Sequence, residues 1–344
     1  MTASLRGKCV ALIGGAGFIG HNLALELKGL GAEVHVIDGL QVNNLGAFSN
    51  SAGDPGKALY LNIINERLDL LRNANVALHV LDARDYQTLS RCLSDINPQI
   101  IVQLAAIAHA NRANKDPYST FDHSFRTLEN ALDCARGAGS HFIYFSSSMV
   151  YGNFNGEAVK EDRHCEPLGI YGALKYGGEK LVIAYNQVFG LPYTIVRPSA
   201  LYGERCVSRR VGQAFIENAL RGMTLSVNGD GSDALDFTYI GDLVQGLILC
   251  MSKPEARNEI FNLTYGGARS LAQMIEIVKS ELPDVVVNHQ SRDNLMPERG
   301  TLSIEKAGRL LGYEPQWPLE KGFVRYIEWY KDVASRHPEF FEAT

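Results

Sequence analysis

A glycine-rich turn directly after a short apolar run constrains the fold of this chain more than any other feature. The run spans Cys9–Ile13, and the next residues read Gly-Gly-Ala-Gly-Phe-Ile-Gly, from Gly14 to Gly20. Leucines then recur at helical spacing, at Leu23 and Leu27. A strand that passes through such a turn into a helix is how a dinucleotide-binding βαβ unit begins. The pattern therefore predicts a parallel α/β fold that starts with a phosphate-binding turn.

Each glycine of this turn has a physical task in such a unit. One permits the tight turn, another lets backbone N–H groups approach a pyrophosphate, and Gly20 lets the helix pack on its strand. The positive end of the helix dipole then faces the phosphates. We therefore expect the cofactor to contact Gly14, Gly17, Phe18, Ile19 and Gly20.

A second apolar run, residues 33–37, ends in Asp38, about 20 residues into the unit. A carboxylate at this place accepts hydrogen bonds from the hydroxyl groups of the adenosine ribose and repels a 2′-phosphate. Asp38 therefore favours NAD over NADP as the cofactor.

The composition fits a globular enzyme and argues against several other classes. The chain has 344 residues, of which 46% are hydrophobic and 21% charged, enough for one large domain or two unequal ones. A formal net charge of -5 gives no electrostatic reason to expect nucleic acid or anionic membrane as a partner. No apolar run reaches the roughly 18 residues of a membrane span, and the first strand begins too early for a signal peptide. We therefore expect a cytoplasmic protein.

Cysteine and histidine usage predicts neither disulfides nor a metal site. The six cysteines are scattered without a CxxC pair, which indicates reduced thiols in apolar surroundings. The histidines form no HxxxH or HxH grouping, so we expect no metal. His109 either contacts a bound ligand or has a structural role.

Strand-like apolar runs alternate with helical patterns through the first part of the chain. After the first two strands, the predicted strands are 76–81, 100–104, 141–145 and 193–196, and the predicted helices are 86–95, 120–138 and 171–189. Such alternation predicts a Rossmann-type, doubly wound parallel sheet of seven strands or a similar number, covered by helices on both faces. Ligands of such sheets bind beyond the carboxyl ends of the strands.

Two segments depart from this alternation. Residues 39–75 are polar and contain glycine, and we expect a loop or short helix there that covers part of the cofactor cleft. Past residue 197 the elements become shorter, with glycine and proline between them. We predict a cofactor-binding domain mainly at residues 1–197 and a smaller α/β substrate lobe mainly at 198–344. Part of 235–265 is expected to return to the first domain.

A tyrosine and a lysine stand four residues apart at the start of the predicted helix 171–189. Tyr171 and Lys175 therefore lie on one face of the helix, one turn apart. The ammonium group and a cationic nicotinamide ring both favour the phenolate, which lowers the pKa of the phenol from its usual value of about 10. Such a tyrosine can remove a proton from a sugar hydroxyl while hydride leaves the same carbon.

Three serines follow the strand predicted at 141–145. Ser147 stands at the carboxyl end of this strand, where a hydroxyl group can hydrogen-bond to the reacting oxygen. Ser146 and Ser148 fit well as turn or capping residues. We therefore expect Ser147, Tyr171 and Lys175 to be catalytic, with Ser148 beside them in contact with the substrate.

In these features the chain resembles the extended short-chain dehydrogenase/reductase family. It is most similar to the NAD-dependent nucleotide-sugar epimerase/dehydratase branch, and within it to the UDP-hexose and UDP-hexuronate 4-epimerases. The resemblance covers nearly the whole chain. Beyond the residues above, it includes Asp82-Ala83, Leu104-Ala105-Ala106, Arg197-Pro198, Leu201-Tyr202-Gly203, Asn228-Gly229-Asp230-Gly231, Asp236-Phe237-Thr238-Tyr239-Ile240 and Leu310-Leu311-Gly312-Tyr313.

The resemblance implies cofactor contacts that the pattern alone does not assign. It implies that Asp82, next to Ala83, reaches the adenine and that Lys175 holds the nicotinamide ribose. It also implies that the segment lining the cofactor consists of Leu104, Ala105 and Ala106.

The resemblance implies that the C-terminal lobe binds a nucleoside diphosphate, although one expected residue is missing. The arginine that the family often has before the Asp-Phe segment is replaced here by Leu235. Arg299 matches a second phosphate-binding arginine, and Arg210 lies where related chains contact the nucleotide. These departures leave the particular substrate open. The resemblance further implies a homodimer.

The residues after Ser147 narrow the expected reaction. Sequences that resemble the 4,6-dehydratases carry acidic side chains there, whereas this chain has Ser148 and Met149. Neither residue transfers a proton as a carboxyl group does. We therefore expect an epimerase that oxidises C4 of a nucleotide sugar, with a UDP-sugar favoured, and re-reduces it on the opposite face. A nucleotide-sugar 4-ketoreductase or dehydratase and a non-enzymatic NAD-binding scaffold are the alternatives.

Overall fold

The structure is a computed structural model and describes residues 4–49, 54–107, 110–282, 284–292 and 297–342. Its strands are β1 (Cys9–Ile13), β2 (Glu33–Asp38), β3 (Ala77–Val80), β4 (Ile100–Gln103), β5 (His141–Phe145), β6 (Tyr193–Arg197), β7 (Leu201–Tyr202), β8 (Leu225–Asn228), β9 (Ala234–Leu235), β10 (Thr238–Tyr239), β11 (Glu259–Asn262), β12 (Arg269–Ser270) and β13 (Val287–Gln290). Its α-helices are α1 (Phe18–Gly29), α2 (Leu45–Phe48), α3 (Pro55–Asn73), α4 (Tyr86–Ile96), α5 (Ala110–Lys115), α6 (Pro117–Phe121), α7 (Thr127–Ala138), α8 (Gly169–Phe189), α9 (Val211–Leu220), α10 (Ile240–Ser252), α11 (Leu271–Glu281), α12 (Glu305–Leu311), α13 (Leu319–Arg336) and α14 (Pro338–Phe341).

Seven strands of the described chain form the central sheet, in the order β11-β6-β5-β4-β1-β2-β3. All neighbouring strands in it are parallel. The strand order changes direction between β4 and β1, and a crevice at the carboxyl ends of two such strands is where doubly wound sheets bind ligands. The predicted Rossmann-type parallel fold is confirmed.

Alternate residues of β1 face two separate hydrophobic cores. Val10 and Leu12 belong to the core formed with α1, α3 and α10, whereas Ala11 and Ile13 belong to the core formed with α4, α7 and α8. Successive side chains of a strand point to opposite faces of a sheet. Because all four residues are buried, this central strand reads as a continuous apolar run with helices on both sides.

The prediction of a loop or short helix for residues 39–75 is wrong, because α3 occupies 19 of these residues. Asp54 caps α3 by accepting hydrogen bonds from the N–H groups of Gly56 and Lys57. The buried face of the helix consists of Leu59, Tyr60, Ile63, Ile64, Arg67 and Leu71. Because a buried arginine interrupts this otherwise apolar stripe, the helical period is not apparent from the spacing of the apolar residues alone.

The helix predicted at residues 120–138 is interrupted. Helix α6 ends at Phe121, residues Asp122–Arg126 form a π-helical turn, and α7 begins at Thr127. The hydroxyl group of Thr127 donates a hydrogen bond of 2.9 Å to the carbonyl oxygen of His123. A hydroxyl that occupies a carbonyl of the preceding turn competes with the regular helical hydrogen bond and favours such an irregular turn.

After β6 the chain forms shorter elements beside the central sheet. Strand β7 pairs with β10, β9 with β12, and β8 with β13. Strand β11 then returns to the edge of the central sheet, where it pairs with β6. The division of the chain near residue 197 into two domains stays a prediction.

Three further sequence expectations concern the surroundings of the protein. None of the helices among the described residues is long and apolar enough to cross a membrane. All six cysteines are unpaired thiols, of which Cys165, Cys206 and Cys250 are buried and the others half-buried. The expected homodimer stays a prediction.

Candidate active site

Two glycines of the turn, Gly14 and Gly20, lie so close to neighbouring backbone that no side chain would fit there. Gly14 has a φ of +80°, and a Cβ atom there would lie 2.5 Å from the backbone nitrogen of Ala105. At Gly20 a Cβ atom would collide with the backbone of Gly15. Helix α1 begins after Gly17 without a side-chain cap, so its first N–H groups face the cleft as donors for an anion.

Asp38 is held at the end of β2 by two backbone hydrogen bonds. Its carboxylate oxygens accept from the N–H groups of Ala16 (3.0 Å) and Leu40 (2.8 Å). Burial raises the pKa of the Asp38 carboxyl, and these N–H groups oppose the rise. Each oxygen keeps a further lone pair, as the predicted contact with ribose hydroxyls requires.

The predicted cofactor residues outside the catalytic helix line one cleft. This cleft is formed by Gly14, Gly17, Phe18, Ile19, Gly20, Asp38, Asp82, Ala83, Leu104, Ala105 and Ala106, together with residues of the C-terminal lobe. Sequence analysis missed Arg84, whose guanidinium holds the Asp82 carboxylate at 2.6 Å and lowers the pKa of Asp82 to about 2. Arg84 also pairs with Asp122 at 2.8 Å, so Asp82 is fixed in its ionised form at this end of the cleft.

A second cavity adjoins the cleft and contains every predicted catalytic and substrate residue. Its lining includes Ser147, Ser148, Tyr171, Lys175, Arg210 and Arg299. The two cavities share the side chains of Ile19, Leu104 and Ala106 as walls. A dinucleotide in the cleft can therefore reach a second ligand in the cavity.

The hydrogen bonds of the serines after β5 differ from the prediction that Ser146 or Ser148 is the capping residue. The capping residue is Ser147, whose Oγ accepts a hydrogen bond of 3.2 Å from the N–H group of Met149. Ser146 does not cap but donates to the buried carboxylate of Glu179. Ser147 lines one cavity with Tyr171, and its hydroxyl group lowers the pKa of the Tyr171 phenol. The cap thus holds this hydroxyl group on the side of the cavity that contains the tyrosine.

The electrostatic surroundings of Tyr171 come mainly from outside its own helix. Burial raises the pKa of the Tyr171 phenol, whereas the charge of Arg210 and the hydroxyl group of Ser147 lower it. Lys175 donates from Nζ to the carbonyl oxygen of Phe145 at 2.6 Å, and burial lowers the pKa of its ammonium group to about 8. Arg210 is therefore a cation near the phenol that the spacing of Tyr171 and Lys175 does not reveal.

Two arginines of the C-terminal lobe carry positive charge into the cavity. Burial and the charge of Arg210 lower the pKa of Arg299 to about 10. Arg299 has no carboxylate within 4.0 Å among the described residues. Leu235, at the place of the missing arginine, lines the same cavity. Two mutually repelling guanidinium groups in one cavity are suited to an anionic ligand with more than one charge.

A buried ion pair beneath the site was not expected from the sequence. Arg197 donates from Nε and Nη2 to the carboxylate of Glu179 at 2.9 and 2.6 Å, and both side chains are almost completely buried. Arg197 also donates to the hydroxyl of Tyr151 at 2.8 Å. The position of Glu179 could have been read from the sequence, because it follows Tyr171 and Lys175 at a second step of four residues along α8.

Potential metal ligands come together away from this cavity. Among the described residues, Cys9, Glu33 and His35 form one group in which the ligand atoms lie within 4.8 Å of one another. His35 contacts Glu33 at 3.2 Å and His79 at 3.0 Å. The group lies at the amino ends of β1 and β2, opposite the cofactor cleft. His109 lies outside the described residues.

The comparisons with known proteins identify the family. The model of the NAD dependent epimerase/dehydratase family matches residues 10–264. The chain belongs to this family. UDP-glucuronate 4-epimerase 4 of Arabidopsis thaliana is 25% identical over 354 residues, which cover 96% of this chain and 76% of the relative.

Two solved structures share both the fold and part of the sequence. UDP-glucuronic acid 4-epimerase of Bacillus cereus, in complex with UDP-glucuronic acid and NAD, has a TM-score of 0.84 and 25% identity and covers 94% of this chain and 99% of its own. UDP-glucose 4-epimerase of Thermotoga maritima, with UDP-glucose, has a TM-score of 0.81, the same identity and the same coverage of both chains.

These matches confirm three expectations drawn from the sequence: the family, the enzyme class of NAD-dependent epimerases, and NAD as the cofactor. The residues present fit this cofactor. Glycines leave room at Gly14 and Gly17, the end of α1 offers N–H donors, and Asp38 keeps acceptor capacity. Which of these residues contact NAD stays a prediction.

The lowered pKa of Lys175 predicts a pH-dependent stability of the nucleotide-free protein. Between about pH 8 and 10.5 the unfolded chain keeps the lysine proton that the folded chain has released, so stability rises with pH. Relative to Lys175→Met, the free energy of unfolding of the unmodified protein should rise by roughly 2–3 kcal/mol across this range. Denaturant unfolding at several pH values measures it.

The matched control for this experiment is Lys180→Met, which removes an exposed lysine from the same helix. This variant should follow the unmodified protein at every pH. A difference between the unmodified protein and Lys175→Met that does not change with pH would contradict the lowered pKa.

Proposed function

We propose that this chain is a nucleotide-sugar 4-epimerase. It oxidises C4 of a nucleotide sugar transiently and returns the hydride to the opposite face, with a UDP-sugar as the favoured substrate. The observation that carries the proposal is one cavity that brings Ser147 and Tyr171 together with two arginines and has no carboxyl group at position 148 or 149. The relatives named above, which are UDP-sugar 4-epimerases, support the choice of UDP.

Tyr171 acts as the base toward the C4 hydroxyl group. Burial opposes ionisation of the phenol, and the Arg210 charge and the Ser147 hydroxyl favour it. The Oγ of Ser147 already accepts from the Met149 N–H group, which leaves its own proton to donate to the phenolate or to the substrate oxygen. NAD, when bound, supplies the hydride acceptor for this carbon.

Lys175 positions the cofactor at its end of the site. Its ammonium group is anchored at 2.6 Å on the carbonyl oxygen of Phe145, at the end of β5, and lies 5.2 Å from the centre of the Tyr144 ring. Two further N–H bonds remain to donate to a ribose. The sugar and its cofactor are thereby aligned with Tyr171, one helical turn away.

The substrate is held through its charged end. Arg210 and Arg299 bind the diphosphate, and the same cavity has apolar walls that include Met149 and Phe237. Apolar walls offer a 4-keto sugar few hydrogen bonds, so it is free to present its other face before re-reduction. Met149 likewise cannot protonate a leaving hydroxyl group, which argues against elimination.

The reaction class is tested by the product. The protein with its co-purified NAD, incubated with UDP-, dTDP- and GDP-sugars, should convert a UDP-sugar to an isomer of unchanged mass without added NADH. Tyr171→Phe should keep its NAD content and lose about 10²–10⁴ in turnover, because only a proton-transfer group is removed. Mass spectrometry and chromatography of the nucleotide sugars provide the measurement. A product lighter by water or carbon dioxide would contradict the proposal.

The anion site is tested by Arg299→Ala. A charge-assisted hydrogen bond of this kind contributes about 1.5–3 kcal/mol, so UDP and the UDP-sugar should bind roughly ten- to a hundredfold more weakly. Calorimetry on the folded variant measures the affinity, and NAD content should not change. Arg309→Ala, which removes an exposed arginine of α12, is the control and should bind as the unmodified protein does. Equal affinity of both variants would show that Arg299 does not bind the diphosphate.

A further inference from the structure

Helix α3 carries an arginine whose position is unusual for a charged side chain. Arg67 is 1% exposed and lies on the buried face of the helix. Its Nε and Nη2 both donate to the backbone carbonyl of Arg205, with Nε at 2.8 Å. Its Nη1 is buried and has no hydrogen-bond partner. No carboxylate lies within 4.0 Å of this guanidinium among the described residues.

Such a group is costly in the interior of a protein. A buried charge without a partner loses hydration, and an unsatisfied buried donor costs further free energy of folding. Burial lowers the pKa of Arg67 to about 10, which still leaves the guanidinium charged at neutral pH. The charge of Arg205 repels it, and the carboxylate of Asp38 attracts it from beyond ion-pair distance. The arrangement is therefore suited to an anion that arrives from outside the chain.

The cleft supplies the place for this anion. Arg67 lines the same cleft as Gly17, Phe18 and Asp38. The amino end of α1, which has no side-chain cap, opens into this cleft and offers N–H donors beside the arginine. A buried, partly unpartnered guanidinium and a free helix terminus thus point independently to one negative ligand.

We propose that Arg67 binds the pyrophosphate of NAD. Nη1 donates to the phosphate oxygens, while Nε and Nη2 stay on the carbonyl of Arg205. The pyrophosphate is the only anionic part of NAD, and Asp38, which lines the same cleft, repels a phosphate but accepts ribose hydroxyls. The inference rests on the cofactor and does not depend on the sugar proposed above.

Arg67 also connects the cofactor with the substrate cavity. The carbonyl that it holds belongs to the loop between β7 and α9, and the same loop ends in Arg210. Arg205 is itself fixed by a hydrogen bond of 3.1 Å to His21 in α1 and by an ion pair of 3.3 Å with Glu66. An occupied cofactor site therefore stabilises the loop that presents Arg210 to Tyr171.

The test compares ligands with and without phosphate on Arg67→Met, which keeps an unbranched apolar stem and removes the guanidinium group with its charge. Thermal unfolding of nucleotide-free protein is followed with NAD, ADP and adenosine, and NAD content is measured as purified. We expect affinities for NAD and ADP to fall about ten- to a hundredfold, adenosine affinity to change less than twofold, and the ligand-free protein to unfold at the same temperature or higher.

Two further variants make the result decisive. Arg72→Met removes an arginine of the same helix that is exposed and pairs with Asp69 at 2.7 Å, and it should bind all three ligands as the unmodified protein does. Arg67→Lys keeps the charge and should bind ADP with intermediate affinity, which also covers the case that Arg67→Met does not fold.

Two outcomes would overturn the proposal. Unchanged affinity of Arg67→Met for ADP would make Arg67 a purely structural contact of the Arg205 loop. An equal loss for adenosine and ADP would mean that the cleft as a whole has collapsed.

Discussion

The buried ion pair between Glu179 and Arg197 joins α8, which carries Tyr171 and Lys175, to β6, the strand beside β5. Arg197 ends β6, and Glu179 lies on the buried face of α8, one turn beyond Lys175. Removing one partner of such a pair leaves a buried charge and typically costs about 3–5 kcal/mol. Ser146 and Tyr151 complete the hydrogen bonds of the pair. The carboxyl end of the sheet and α8 are thereby held in one arrangement.

This arrangement determines the electrostatics of the site. The charge of Glu179 partly opposes the fall in the pKa of Lys175, so its ammonium group can remain protonated near neutral pH. Ser146 donates to Glu179, and the hydroxyl group of the next residue, Ser147, lowers the pKa of Tyr171. The end of β5 and α8 therefore hold Ser147 and the proposed base Tyr171, while the C-terminal lobe adds the charge of Arg210.

Sequence patterns predicted those features that are determined by residues close together in the sequence. The glycine turn, Asp38 and the Tyr171–Lys175 pair could be predicted because backbone shape and helical period set them within a few residues. The capping role of Ser147 was assigned to its neighbours, because the choice depends on how the chain turns after β5. Helix α3 was missed because Arg67 interrupts its apolar stripe, and that arginine is explained only by contacts 138 residues away.

Contacts between distant segments could not be predicted from one sequence. The effect of Arg210 on Tyr171 joins the two lobes, and the pairing of Arg84 with Asp122 joins two loops. Such contacts depend on the order of the strands in the sheet, and the periodicity of apolar residues in the sequence does not determine that order. The resemblance to a family supplied the candidate arginines, but only the structure brings Arg210 and Arg299 into one cavity with the tyrosine.

The central claim is that one carbon is oxidised and reduced within one closed site, and deuterium at C4 of the UDP-sugar tests it most directly. If the hydride leaves and returns to the same carbon, the epimerised product should keep the deuterium at C4 and take up no hydrogen from solvent at any carbon. The measurement is NMR and mass spectrometry of the product formed in ordinary water. A product that has lost the label to solvent, or has gained solvent hydrogen at C5, would contradict the account.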